Sequence, residues 1–227
     1  MATSQKRDEQ AARERELGHL RALMVERYVA ARGVKDPRIL QAMRDVPRHL
    51  FVPSVVAAKA YGPGALPIGS KQTISQPYIV ARMIELLDLT GKEKVLEIGT
   101  GTGYQAVVLS KLCARVFSIE RVNELALRAA ELIRELKVYN ATVKVFDGTY
   151  GWSDQAPFDR IIVAAAAPEV PDPLIQQLAR TGKMIIPIGS GRAQRLARVG
   201  RVGTRVQIED CGEAEFVPLV GRFGWKE

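Results

Sequence analysis

The chain has 227 residues, 47% of them hydrophobic, with 33 Lys and Arg against 25 Asp and Glu for a net charge of +8 and a pI near 9.7. That length buries one substantial core, so a single domain over residues 1–227 is expected. No apolar run approaches the ~20 residues of a membrane span, and the mixed-charge N-terminus has no secretory apolar region. The chain is therefore expected in the cytoplasm. Cys113 and Cys211 are far apart and outside any C-x-x-C pattern, which argues against a disulfide framework or zinc site. With only His19 and His49 besides, no metal is expected.

From residue 8 to 31, Leu17, Leu20, Leu23, Met24 and Val25 recur at helical spacing among Arg and Glu, and Gly33 ends the pattern. Asp36 followed by Pro37 makes an N-cap and first-turn pair for a short second helix through Met43. Prolines bracket an irregular stretch near Arg48, and a weak helical stretch follows over 54–60. This region reads as a helical cap outside the sheet. Tyr61 to Gln76 contains two prolines and three glycines, which rules out a regular element. Its apolar residues Leu66, Ile68 and Ile74 point to a functional loop rather than disorder.

Residues 77–87 read as a helix with Ile79, Val80, Met83, Ile84 and Leu87 on one face. Ser75 is expected to cap it with its hydroxyl. No His is near in sequence to act as a base, so Ser75 is not read as a nucleophile. A hydroxyl at a helix N-terminus can also orient an anion.

Val95, Leu96 and Ile98 form a strand buried on both faces. Gly99, Gly101 and Gly103 follow, and a helical pattern begins at Ala106. Strand, glycine turn and helix make the first half of a nucleotide-binding βαβ unit. The spacing is G-x-G-x-G, and Glu97 precedes it. A carboxylate there repels a pyrophosphate but suits an ammonium or sulfonium group, a description that fits S-adenosylmethionine. Glu120 ends the next apolar run, where an acid can accept hydrogen bonds from ribose hydroxyls.

Residues 122–136 read as a helix and 142–146 as a strand ending in Asp147-Gly148. That carboxylate either meets an adenine amino group or belongs to a plain turn. Trp152 either covers the pocket or packs. Arg160 to Ala164 form a fourth buried strand, with small residues leading out of it that leave room for a ligand. A helix over 173–179 and a strand over 182–188 follow. Residues 194–202, 205–210 and 215–220 read as β-rich and suggest an antiparallel edge. Arg180, Lys183, Arg192, Arg195, Arg198, Arg201 and Arg205 lie in a stretch with no acid and no aromatic residue between Asp172 and Glu209. Without aromatics it lacks the stacking platform of a single-strand binder, and a solvated basic face is expected.

The segments T-I-S-Q-P-Y-I-V-A-R-M, V-L-E-I-G-T-G-T-G-Y-Q-A, F-S-I-E-R, D-G-x-x-G-W, F-D-R-I-I-V-x-A-A-A-P and F-V-P-L-V occur in this order. Together they resemble the protein-L-isoaspartate (D-aspartate) O-methyltransferase family from about Arg21 onward. The resemblance implies a Rossmann-like class I S-adenosylmethionine-dependent methyltransferase. Its α/β sheet would be mostly parallel and seven-stranded, with an antiparallel last strand and an N-terminal helical cap. Residues 1–20 would be an extension, 21–76 the cap and substrate loop, and 77–227 the cofactor-binding sheet and C-terminal β region.

The implied reaction is methyl transfer from S-adenosylmethionine to the free α-carboxyl of L-isoaspartyl residues in damaged proteins and peptides. Repair would proceed through a methyl ester and a succinimide. By matching motif, Gly99, Thr100, Gly101 and Gly103 would lie against the methionine part, with Glu97 near its ammonium group. Glu120 would bind the ribose, and Asp147 with Gly148 the adenine. Gln72, Thr73, Ile74 and Ser75 would line the join of cofactor and substrate, with Ser75 as the catalytic contact to the substrate carboxylate. Val217, Pro218 and Leu219 would hold the isoaspartyl backbone. Lys71 departs from the family's substrate loop and would shift peptide preference. A monomer acting without membrane, nucleic acid or metal is implied. An RNA methyltransferase is the rival that the basic stretch suggests, but no N-P-P-Y or D-P-P-Y motif and no catalytic cysteine pair supports it.

Overall fold

Val95, Leu96 and Ile98 sit in the middle of a sheet, fully covered on both faces, as a continuous apolar run requires. The computed structural model describes residues 2–191, 193–202 and 205–226, with side chains except those of residues 2–8, 10 and 202.

Helix α1 (Ala2–Tyr28) begins before the expected residue 8 and stops three residues short of 31. The last turn tightens into a 3-10 turn over Ala30–Arg32, closed by Gly33 at φ 101°, a conformation that favours glycine at a helix end. Helix α2 (Pro37–Asp45) is capped as expected, the Asp36 carboxylate accepting the Arg38 N–H. Two 3-10 turns, Arg48–Phe51 and Ser54–Lys59, complete the cap.

The segment expected to hold no regular element contains an antiparallel hairpin, β1 (Leu66–Gly69) and β2 (Gln72–Ile74). Ser70 and Lys71 turn it with φ of 49° and 57°, the paired positive values of a tight hairpin. Pro63 lies outside the strands, and Pro67 sits where a two-stranded ribbon tolerates a missing N–H. Helix α3 (Pro77–Leu86) follows, but its N-cap is Gln76 and no side chain caps it. Pro77 occupies the first helical position, which places Ser75 one residue too early to cap. The expected hydroxyl cap is not made.

The rest alternates: β3 (Lys94–Ile98), α4 (Tyr104–Ser110), β4 (Arg115–Glu120), α5 (Asn123–Glu135), β5 (Ala141–Val145), β6 (Phe158–Val163), α6 (Asp172–Gln177), β7 (Leu178–Ile188), β8 (Arg195–Val202) and β9 (Arg205–Glu213). The seven strands β3 to β9 form one sheet in the order β5-β4-β3-β6-β7-β8-β9. The first five in that order are parallel, and β8 and β9 are added antiparallel to their neighbours. Residues 215–220 form only isolated bridges, Pro218 with Ala166 and Val220 with Trp225. The strand order reverses at β3, and a crevice opens at the carboxyl ends of β3, β4 and β6, the place where open α/β sheets bind ligands.

Two apolar layers flank the sheet. One includes Met24, Val80, Ile84, Leu109 and Ile133 of the helices. The other includes Phe117, Phe158 and Leu174, with Trp152 packed edge-on to Phe117 at 5.4 Å between centroids. Trp152 therefore packs rather than covering the crevice. The β8–β9 hairpin also brings acids to the basic stretch. Arg195 pairs with Asp210 at 2.7 Å and Arg198 with Glu209 at 2.5 Å, while Lys183 reaches Asp88 at 2.5 Å. Arg201 donates to carbonyls at the end of α6. Arg192 lies outside the described residues.

Candidate active site

The crevice at the reversal point is open to solvent and lined by polar and apolar side chains together, as small-molecule sites are. Gln72, Thr73, Ile74, Ser75, Gly99, Thr100, Gly101, Glu120, Gly148, Val217, Pro218 and Leu219 all line it. Chain segments up to 152 residues apart thus meet at one place, from Ile68 to Val220.

Gly99, Gly101 and Gly103 adopt φ of 90°, 56° and 91°, which side chains rarely tolerate. A Cβ at Gly101 would stand 3.2 Å from Ile68 Cδ1, and one at Gly148 would collide with Ile98. Glu120, at the tip of β4, secures the turn: Oε2 accepts the Gly101 N–H at 2.8 Å and Oε1 the Val122 N–H at 2.9 Å. Each oxygen keeps a second lone pair, available to a diol in the crevice.

Glu97 is placed differently from expectation. Its side chain is completely buried and does not line the crevice. It accepts a short hydrogen bond from the Ser118 hydroxyl, which lies 2.5 Å from Thr100 Oγ1, so the acid supports the turn from behind. Position 97 is the last but one in its strand, and the alternation that puts Ile98 at the crevice turns Glu97 inward. Burial pushes its carboxyl up to about 8, with the nearby Glu120 charge adding to the rise and the Ser118 and Gln105 side chains opposing it. Glu97 Oε1, Gln105 Nε2 and Thr102 Oγ1 are all buried without hydrogen-bond partners.

A carboxyl raised from 4.5 to about 8 on folding binds its proton more tightly in the native state. Its contribution is fully present below about pH 4.5 and is lost as the pH climbs through 8. The Glu97→Gln variant should therefore gain stability on the wild type as pH rises from 5.5 to 8, by up to about 1.4 kcal/mol per unit. Urea unfolding at those two pH values measures it. An unchanged difference between variant and wild type would refute the buried, protonated acid.

Asp147 is also absent from the lining, although its neighbour Gly148 is present. Asp147 Oδ1 accepts the Thr149 N–H and hydroxyl, and Oδ2 accepts the Arg222 N–H at 2.8 Å. The carboxylate thus ties the C-terminal segment to the end of β5, and one lone pair on Oδ2 remains. Gly103 likewise stays out of the lining and starts α4, packed against Ala129 and Ile133. The other expected residues all border the crevice. Thr102, Tyr104, Gln105, Ala164, Ala165 and Val220 border it too. Of these, the sequence signalled only the alanines, as small residues leading out of β6.

A profile of the protein-L-isoaspartate(D-aspartate) O-methyltransferase family matches residues 21–224. The chain belongs to this family. It is 52% identical to protein-L-isoaspartate O-methyltransferase 2 of Geotalea uraniireducens over 207 residues, covering 90% of this chain and 95% of that one. It is 51% identical to the Geobacter metallireducens protein-L-isoaspartate O-methyltransferase over the same coverage. A solved protein-L-isoaspartate O-methyltransferase superposes with a TM-score of 0.80 at 27% identity, over 91% of this chain and 67% of that one. A Plasmodium falciparum structure, described as a putative member in complex with S-adenosyl-L-homocysteine, superposes at 0.72 with 25% identity, over 87% and 96%.

The crevice fits the family's cofactor, S-adenosylmethionine. Its glycine turn admits close approach, and Glu120 keeps acceptor capacity. The partnerless polar atoms of Thr102 and Gln105 belong to residues on the lining. No helix among the described residues is long and apolar enough to cross a membrane.

Proposed function

We propose that the methionine part of S-adenosylmethionine lies along Gly99, Thr100 and Gly101, its ribose at Glu120 and its adenine beside Gly148. An isoaspartyl residue then enters between Ser75 and Val217–Leu219. The activity is methyl transfer to the free α-carboxyl of L-isoaspartyl residues in damaged proteins and peptides. The ester cyclises to a succinimide, which reopens in part as normal aspartate.

When bound, the cofactor supplies an electrophilic methyl group on a sulfonium. The chain's own residues align the acceptor and exclude water. A carboxylate is already ionised at neutral pH, with a reference pKa of ~4, so it needs no strong base. Positioning alone can supply roughly 7–11 kcal/mol at best. The observation that carries this reading is Ser75. It lines the same crevice as the glycine turn and Val217–Leu219, and its hydroxyl is not spent on capping α3.

The same reading makes the chain a cytoplasmic monomer of one domain, with residues 1–20 as an extension. It acts on protein rather than nucleic acid, and the acids of β9 that pair with Arg195 and Arg198 support this. Labelled S-adenosylmethionine with two peptides that differ in one isoaspartyl or aspartyl linkage tests the proposal. Base-labile methyl ester on the isoaspartyl peptide alone is expected. Equal labelling of both peptides, or of neither while S-adenosylhomocysteine still binds, would overturn it.

A further inference from the structure

Arg48 is among the largest side chains that the fold buries completely. Its Nη2 donates to the Ser75 carbonyl at 2.7 Å and its Nε to the Ala60 carbonyl at 2.9 Å. The guanidinium lies over the Tyr104 ring, 4.7 Å from the centroid. Nη1 is buried without a well-formed hydrogen bond, and of the side chains it is Tyr104, its own hydroxyl also unpartnered, that interacts most with the guanidinium. None of the ion pairs among the described residues involves Arg48.

A buried cation without a counter-ion is expensive, and well-packed apolar residues of similar volume commonly replace buried charges without loss of stability. Packing alone therefore does not account for an arginine here. Burial lowers its affinity for the proton, yet a guanidinium stays charged in a protein. The position is informative. Ser75 and Tyr104 both line the crevice, and Arg48 touches both from behind. One side chain thus connects the cap at Ala60, the end of the hairpin segment at Ser75 and the residue that follows the glycine turn.

We propose that Arg48 is a positioning residue for the methyl acceptor, holding the Ser75 segment in place and drawing the isoaspartyl carboxylate towards it with an unneutralised positive charge. The inference rests on the reading of Ser75 as the acceptor-side hydroxyl. The wall between the two charges is protein rather than water, so their attraction is weakly screened. A neutral acceptor gains nothing from this field, and S-adenosylhomocysteine, whose carboxylate and ammonium charges cancel, gains little. Arg48 should therefore act on acceptor binding and leave cofactor binding alone.

Two variants test this in the full chain, with isoaspartyl-peptide KM and S-adenosylhomocysteine Kd measured in parallel. Arg48→Met keeps the bulk and removes the charge, and it should raise KM by about tenfold or more. Arg48→Lys keeps the charge but loses the two-pronged grip, and it should raise KM by roughly threefold to fivefold. In both, Kd should stay within about twofold of the wild type. A merely structural role would loosen Kd in step with the loss of activity, and that outcome overturns the proposal, as does an unchanged KM. Should Arg48→Met fail to fold, the Arg48→Lys pair of values decides by the same criteria. The wild type on the isoaspartyl and aspartyl peptides reports separately on the underlying reading, so failure of one is not mistaken for failure of the other.

Discussion

Replacing Glu120 by Ala loosens S-adenosylhomocysteine binding by roughly a hundredfold or more, the largest effect expected of any single change at this site. Two losses combine. The Gly101 and Val122 amides lose their shared acceptor, so the glycine turn is no longer held from the β4 side. The remaining lone pairs, which the proposed cofactor pose gives to the ribose, go with it. Hydrogen bonds to a charged group are worth about 1.5–3 kcal/mol each, and two of them already account for about a hundredfold. Glu120 is nearly buried at 7% exposure, so solvent does not replace what is lost. Isothermal titration with S-adenosylhomocysteine measures the change. A Kd within about threefold of the wild type would sink the assignment of Glu120 to the ribose.

Changing Ser75 to Ala separates the other half of the site. The Ser75 backbone stays pinned through its carbonyl to Arg48, and α3 loses no cap because Ser75 provides none. Only the hydroxyl on the acceptor side disappears. Turnover should fall by roughly tenfold to a hundredfold, the scale of a misplaced acceptor, while S-adenosylhomocysteine affinity stays within about twofold. Steady-state kinetics with an isoaspartyl peptide and titration with the product cofactor give the two numbers. A large loss of cofactor affinity in this variant would show that Ser75 belongs to the cofactor side.

The contrast between Glu120 and Glu97 shows which parts of the site were legible. Glu97 precedes the glycine turn in the sequence and Glu120 ends the next strand, and both are near the turn in the fold. Glu120 is the last residue of its strand and reaches the crevice. Glu97 is one residue inside its strand, so the alternation of side chains turns it away from the crevice, and burial pushes its carboxyl up to about 8. Gly99, Gly101 and Gly103 were legible because a turn is a local event, and their positive φ values are demanded within a few residues of chain. The sequence alone leaves Asp147 as an adenine contact or a turn. Its carboxylate is largely engaged by Thr149 and Arg222, and Arg222 is 75 residues away, a partner that no local pattern announces.

Arg48 left no mark at all. It falls in an irregular stretch between prolines, 27 residues before the carbonyl it holds. A single arginine among 33 basic residues gives no sign of being buried. The basic stretch from Arg180 to Arg205 is a different case. Its lack of acids is real along the chain, but the antiparallel register of β8 and β9 sets Glu209 and Asp210 across from Arg198 and Arg195.

The sequence by itself determined the alternating α/β architecture, the glycine turn, the strand-end acid Glu120 and the family, since each is encoded in short-range periodicity or contiguous motifs. The tertiary structure alone decided which of those residues face the crevice. It turned Glu97 inward, committed Asp147 mainly to the C-terminal segment, freed Ser75 from capping and set Arg48 behind it. The physical reason is that burial, charge pairing and side-chain direction depend on neighbours far along the chain, and those neighbours exist only once the sheet has closed.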